Sequence, residues 1–362
     1  MSEQRQLKIC FFADGESIHT VRWCNHFLKL GNIVHLITFK NILIPGVNVH
    51  FIDCGNINET GGNWKVLLKF RKVKKVLREI SPDIFHSIYA TSYGITGALC
   101  GFHPYVITAL GSDVLISPKE SNIFKVLLKY AFSKADWITA MAEHMNVAIR
   151  KIGVPAIKIS TIPFGIDPAV FNSSSRNLST EKFVITSTRN FEKIYNIPHL
   201  IKAVAKVKNV IPNLHLNLIG AGSLRSEIEE LIGEVGLKEN VTFFGKIQQP
   251  EIASILNSSH LFISVSFSDG NNISLNEAMA CGVFCIATDI PANRQWIVDS
   301  VNGFIVKVDD VDELSKKIEE AYLHYDEFQK VSIPINEKII QERGIWSTNM
   351  KVVEEKYRSL IK

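Results

Sequence analysis

Residues 264–285 read SVSFSDGNNISLNEAMACGVFC, and the rest of the chain is read outward from them. Leu261 to Val265 is a buried-strand run, Asp269 stands in the polar loop behind it, and a helical pattern starts near Ser274 and stops at Gly282. A strand that passes through a polar loop into a short helix is half of a parallel α/β unit. One acid precedes the helix, Asp269, and one lies in its first turn, Glu277. Two separated carboxylates beside a helix N-terminus suit a ligand with sugar hydroxyls at one end and phosphate in the middle, because the N–H groups and the helix dipole favour an anion there. A second account fits the same residues: Ser274 as N-cap and Glu277 three residues on form a capping box. Both accounts stand on the sequence alone.

The alternation continues in both directions. Leu7 to Phe12, a helical pattern from Ser17 to Leu30, and Ile33 to Phe39 open a parallel α/β unit. Asp14, Gly15 and His19 follow its first strand, at the carboxyl end where such sheets bind ligands. Further strands are expected at 83–88, 105–110, 137–141, 183–187, 214–219, 241–244 and 283–287, with a last long helix from Asp310. Gly220-Ala221-Gly222 follows a strand as a dinucleotide fingerprint does, but arginine (Arg225) stands at the third glycine, which sets an NAD(P) oxidoreductase aside. Asp310 and Asp312 sit where a helix N-terminus favours acids, and no group of His, Cys and acids has metal-ligand spacing.

Composition narrows the class. A chain of 362 residues is long for one core and implies two domains; 46% hydrophobic and 21% charged residues belong to a globular protein. No apolar run reaches membrane-spanning length, and MSEQRQLKIC lacks the apolar core of a secretion signal, so a cytoplasmic protein is expected. The six cysteines form no CxxC pair and read as buried thiols. Charge is uneven: residues 1–171 carry nineteen Lys and Arg against twelve Asp and Glu, whereas the remainder carries twenty-one against twenty-four. The basic half is expected to face something anionic. Its densest stretch is a helical pattern from Asn63 to Ile80, with seven Lys and Arg between Lys65 and Arg78 and one acid, Glu79. Such a helix can lie on anionic lipid or serve as an ordinary surface helix.

Asp269, seven residues, Glu277, then Ala278-Met279-Ala280 and Gly282 resemble the signature of the family-four, retaining nucleotide-sugar glycosyltransferases of bacterial type. The first acid is usually glutamate in that family, and here it is one methylene shorter. Gly111-Ser112-Asp113 and the proline-x-glycine-x-Asp element ending at Asp167 are similar to further family elements. The resemblance implies an α/β, GT-B fold, with two Rossmann-like parallel-sheet domains facing a central cleft. The expected division is an acceptor-side domain 1–171, a linker 172–180, a donor-nucleotide domain 181–346, and a C-terminal helix 347–362 returning to the first domain.

It also implies the chemistry. A sugar moves from a nucleotide diphosphate donor, a UDP- or GDP-sugar, to a glycan or lipid-linked acceptor with retention, in surface polysaccharide or glycoconjugate synthesis. No cofactor, no metal and no nucleic acid take part; the basic stretch 65–78, read as lying on anionic lipid, adds the expectation of peripheral binding at the cytoplasmic face of a membrane. Catalytic roles fall to Asp269, which faces the sugar, to Arg189, whose fork suits two phosphate oxygens, and to Asp113. Glu277 binds the ribose. Lys193, which lies one residue before the family's usual lysine position, and Asn272, Ile273 and Ser274 at the helix N-terminus receive the diphosphate. Gly222, Ile247, Gly15, His19 and His86 complete the expected binding set. A sugar-nucleotide epimerase on the same fold and a sugar-nucleotide-binding subunit without activity are the alternatives.

Overall fold

Thirteen short strands, most of them apolar and buried on both faces, build two separate parallel sheets in a computed structural model that describes residues 5–55 and 64–361. The first sheet contains β1 (Lys8–Phe12), β2 (Ile33–Thr38), β3 (Asn48–Phe51), β4 (Ile84–Ile88), β5 (Tyr105–Ala109), β6 (Trp137–Ala140) and β7 (Ile159–Thr161). Its order is β3-β2-β1-β4-β5-β6-β7. The second contains β8 (Phe183–Ser187), β9 (Leu214–Ile219), β10 (Val241–Gly245), β11 (Leu261–Ser264), β12 (Phe284–Thr288) and β13 (Phe304–Val306), in the order β10-β9-β8-β11-β12-β13. Both are doubly wound, and each reverses its strand order once, between β1 and β4 and between β8 and β11. Ligands bind outside the carboxyl ends of the strands at such a reversal.

The chain divides into two compact units, residues 1–162 with 351–362, and residues 163–350. The crossing falls at Ile162 and Pro163, not in the polar run 172–180, and the run is packed on the second unit. There Arg176 Nη2 donates to Ser259 O (3.0 Å) and Tyr325 Oη (2.8 Å), and Asn257 Nδ2 donates to Asn172 O (3.0 Å). The run is tied to the second unit through Arg176 and through the backbone of Asn172, contacts that composition alone does not separate from a flexible linker. Gly165 also belongs to the second unit. A Cβ there would lie 2.2 Å from Trp346 N, so only glycine lets Ile166 pair with Gly344 and Trp346 (2.7 and 3.0 Å).

In the first unit the end of the last helix, Trp346–Leu360, docks through Tyr357, whose ring stacks on Phe27 at 5.2 Å. The basic segment is two helices, Trp64–Leu67 and Phe70–Ile80, and Asn63 lies outside the described residues. Tight three-residue bonds, Lys69 N to Val66 O and Lys72 N to Lys69 O, replace the regular helical ladder at the junction. All six cysteines are buried, Cys10, Cys24, Cys54 and Cys100 in the first unit and Cys281 and Cys285 in the second. Among the described residues no helix is long and apolar enough to cross a membrane.

Candidate functional site

Arg189 follows β8 and Asp269 follows β11, so the reversal of the second sheet sets them side by side. Arg189 Nη2 lies 2.5 Å from Asp269 Oδ2, and Nη1 donates to Asn272 Oδ1 at 3.0 Å. The guanidinium carbon stands 4.2 Å from the centre of the Tyr195 ring, a cation–π contact. Arg189 is buried, yet its Nε has no hydrogen-bond partner. Ser187 Oγ, Thr188 Oγ1, Ser266 Oγ and both amide atoms of Asn276 are buried and unpartnered in the same region. Orphaned buried polar groups are rare in native structures, and this cluster at and beyond the carboxyl ends of β8 and β11 makes the region the candidate site for a polar ligand.

The helix after Asp269 runs Ile273–Ala280, and its N-cap is Asn272, whose Oδ1 accepts from Leu275 N at 3.2 Å. The capping box expected of Ser274 and Glu277 is therefore absent. Asparagine stands two residues earlier, and Ser274 Oγ turns instead to Thr188 O at 3.4 Å. With the cap supplied elsewhere, the buried Glu277 has no capping duty. Asn272 itself is saturated: Nδ2 donates to Ser264 Oγ and Asn293 Oδ1, each at 2.9 Å. Its side chain holds Arg189 and the helix.

The glycine turn after β9 supports the arginine. A Cβ on Gly220 would lie 2.6 Å from Arg189 O and one on Gly222 would lie 2.4 Å from Phe191 O, so glycine is needed for backbone to lie on backbone. Phe191 N then donates to Ala221 O (3.0 Å) and Leu224 N to Phe191 O (2.9 Å). That close approach explains the Gly-x-Gly spacing without a dinucleotide, and Arg225 at the third position stacks 3.5 Å over Phe243. Lys193 is exposed on the short turn Lys193–Tyr195, and Ile247 is half-buried after β10. Tyr195 was invisible to motif reasoning, because an aromatic residue in a short polar turn carries no periodic signal.

The first unit gathers its own set after β1, β4 and β5. Gly15 follows β1 where a Cβ would lie 2.4 Å from Ile42 Cδ1, and its N–H donates to Thr38 Oγ1 at 3.0 Å. His19 is half-buried on the helix Ile18–Lys29. His86, expected to bind ligand, is wholly buried: Nε2 meets Thr108 Oγ1 at 2.7 Å and Nδ1 meets Tyr357 Oη. Desolvation lowers its pKa to about 3, so it stays neutral and serves as a tie between β4 and the last helix. Asp113, expected to be catalytic, is also wholly buried, and its carboxylate accepts from Ala90 N (2.7 Å), Gly111 N (2.8 Å) and Leu110 N (3.2 Å). Burial pushes its pKa up while these donors pull it back. The carboxylate braces the turns after β4 and β5. The turn it braces contains Tyr89 at φ 86° and ψ 108°, a left-handed φ that costs an aromatic residue energy, with its Oη 3.1 Å from Ser112 Oγ.

Two doubly wound sheets with a polar, arginine-centred site at a strand-order reversal define a nucleotide-binding α/β protein. The family models described as glycosyl transferase 4-like and glycosyl transferases group 1 match residues 8–142 and 171–333. The chain belongs to the GT-B glycosyltransferases of the family-four type. It is 23% identical to the N-acetyl-alpha-D-glucosaminyl L-malate synthase of Bacillus anthracis, over 86% of this chain and 87% of that one. With the UDP-Gal:alpha-D-GlcNAc-diphosphoundecaprenol alpha-1,3-galactosyltransferase of Escherichia coli it shares 24% identity over 66% of each. Its fold matches HepE of Anabaena, solved with UDP-glucose, at TM-score 0.77 and 18% identity, over 98% of this chain and 100% of that chain.

Proposed function

We propose that this glycosyltransferase takes its sugar from a UDP-sugar and transfers it, with retention and without a metal ion, to a lipid-linked glycan at the cytoplasmic face of a membrane. The observation that carries the donor half is the buried Arg189 with its unpartnered Nε, together with the buried, unpartnered hydroxyls of Ser187, Thr188 and Ser266 at and beyond the carboxyl ends of β8 and β11. A guanidinium fork and hydroxyl donors suit a diphosphate, and such preorganised donors stabilise it as it leaves with growing charge. Glu277 then holds the ribose, and Asp269 orients the sugar. UDP is the nucleotide bound to HepE, which favours uridine over guanosine.

The acceptor half rests on the surface of the first unit. Helix Asn122–Lys134 exposes Ile123 (62%) and Val126 (67%) beside Lys125, Lys129 and Lys134, and contains no acid. Together with the basic residues 65–78, this combination of apolar side chains and cations fits an anionic lipid surface, which a lipid-linked acceptor requires. The deciding experiment is a calorimetric screen of UDP-, GDP- and ADP-sugars on the wild type and on Glu277→Gln. Uridine donors are expected to bind, with affinity reduced in the variant by about 1–3 kcal/mol through loss of a charged hydrogen bond. Equal affinity in a folded Gln variant removes Glu277 from the ribose. Donor turnover that proceeds without acceptor points to the epimerase alternative.

A further inference from the structure

We propose that Asp269 competes with the donor diphosphate for Arg189, and that Tyr195 is the positioning residue that keeps the guanidinium in place when the carboxylate lets go. The proposal rests on the reading that Arg189 faces the diphosphate. Arg189 is gripped on three sides, and the grips differ in kind. Asn272 is immobile, tied to Ser264, Asn293 and the N–H of Leu275 while it accepts from Nη1. Tyr195 is carried on a turn whose Ile194 O accepts from Phe267 N at 2.9 Å, which pins the ring's turn to the loop bearing Asp269. Asp269 is the third grip, between Ser268 and Gly270, and its short side chain is itself the anion on Nη2.

A carboxylate oxygen 2.5 Å from Nη2 occupies the direction in which an arginine fork receives a phosphate oxygen. While that pair is closed, the positive charge is largely cancelled, and an incoming diphosphate meets an acid as well as a base. Binding then requires exchange of one anion for another on Nη2. Nη1 stays on Asn272, the free Nε becomes available to the ligand, and the ring of Tyr195 carries the plane of the guanidinium through the exchange. Freed from Arg189, the carboxylate of Asp269 is released toward the sugar end of the donor. The aspartate standing where the family has glutamate thus doubles as an internal occupant of the phosphate position.

The test is calorimetric titration of UDP, with GDP and ADP in parallel, into wild type, Asp269→Asn, Tyr195→Leu and Tyr195→Phe, each checked by thermal melting. Competition predicts that Asp269→Asn binds the nucleoside diphosphate roughly 3- to 10-fold more tightly, because a rival charge is gone. Tyr195→Leu should bind it roughly 3- to 20-fold more weakly, the range of a cation–π contact. Tyr195→Phe should restore wild-type binding. A scaffold role for both residues would weaken binding in both, so tighter binding in one and weaker in the other is the signature. Equal or weaker binding in Asp269→Asn overturns the competition. Asp269→Ser gives the same expectation if the asparagine variant does not fold. Wild-type affinity in Tyr195→Leu overturns the positioning role. If the wild type binds none of the three nucleotides, the donor reading itself falls, and this proposal with it.

Discussion

Asp113→Ala separates a brace from a catalytic group. The carboxylate is wholly buried and accepts three backbone N–H groups, those of Ala90, Gly111 and Leu110. Alanine orphans two short bonds and one longer one. At about 1–3 kcal/mol for each buried donor left unpaired, less the relief of no longer burying a charge, the net loss is about 3–6 kcal/mol. For a unit of this size about 2–4 °C of melting temperature follows each kcal/mol, so the first unit should melt roughly 6–24 °C lower. Asp113→Asn keeps one acceptor oxygen and turns an NH2 toward the remaining donors, and should fall between. Burial raises the folded pKa above 3.8, so the folded state holds the proton more firmly than the unfolded chain. Stability from this group therefore falls as pH rises from 3.8 through the raised value, and the alanine variant loses that slope. Differential scanning calorimetry across pH reads all three. A folded Asp113→Ala protein that melts within about 2 °C of wild type but transfers no sugar would refute the brace and return Asp113 to catalysis.

His86 gives a slope of opposite sign: its folded pKa, about 3, lies below the usual 6.5, so the unfolded state takes up protons first and stability drops as pH falls from 6.5 toward 3. Melting of His86→Asn should show a flatter pH profile over that window; an unchanged profile would mean that the histidine is not buried neutral. Arg189→Lys keeps the charge and loses the fork, so turnover should fall more than donor affinity, and equal losses in kcat and in binding would leave only ground-state anchoring. The wild type should co-sediment with phosphatidylglycerol-containing but not with pure phosphatidylcholine vesicles at low salt, since attraction decays over about 8 Å at physiological ionic strength. Replacing Lys72, Lys74 and Lys75 by Gln should abolish sedimentation with an unchanged melting temperature; failure of the wild type to sediment would favour a soluble acceptor.

The alternation of strands and helices was legible because most strands are continuous apolar runs: Phe183–Ser187 and Leu214–Ile219 fall where the pattern places them. Three strands were missed. Asn48–Phe51 is a short edge strand with a polar start, and Ile159–Thr161 and Phe304–Val306 are only three residues long each. In the site, the Asp269-to-Glu277 spacing was readable because loop and helix are contiguous in sequence. The cap was not, since Asn272 and Ser274 are both good caps and only tertiary contacts choose between them. Asp113 and His86 look like chemistry in a sequence because acids and imidazoles do chemistry. Backbone N–H groups and a tyrosine 271 residues away spend them on structure, and neither partner leaves a mark at the residue itself.

The buried cysteines have an experimental consequence. Burial pushes every one of them up, Cys24, Cys100 and Cys281 to about 12, so in the folded protein each is withheld from a thiol reagent both by access and by protonation. Four sit in the first unit and two in the second. A chromogenic disulfide therefore reads opening events rather than surface chemistry, and the stoichiometry of each labelling phase, four equivalents or two, names the half of the molecule that has come apart.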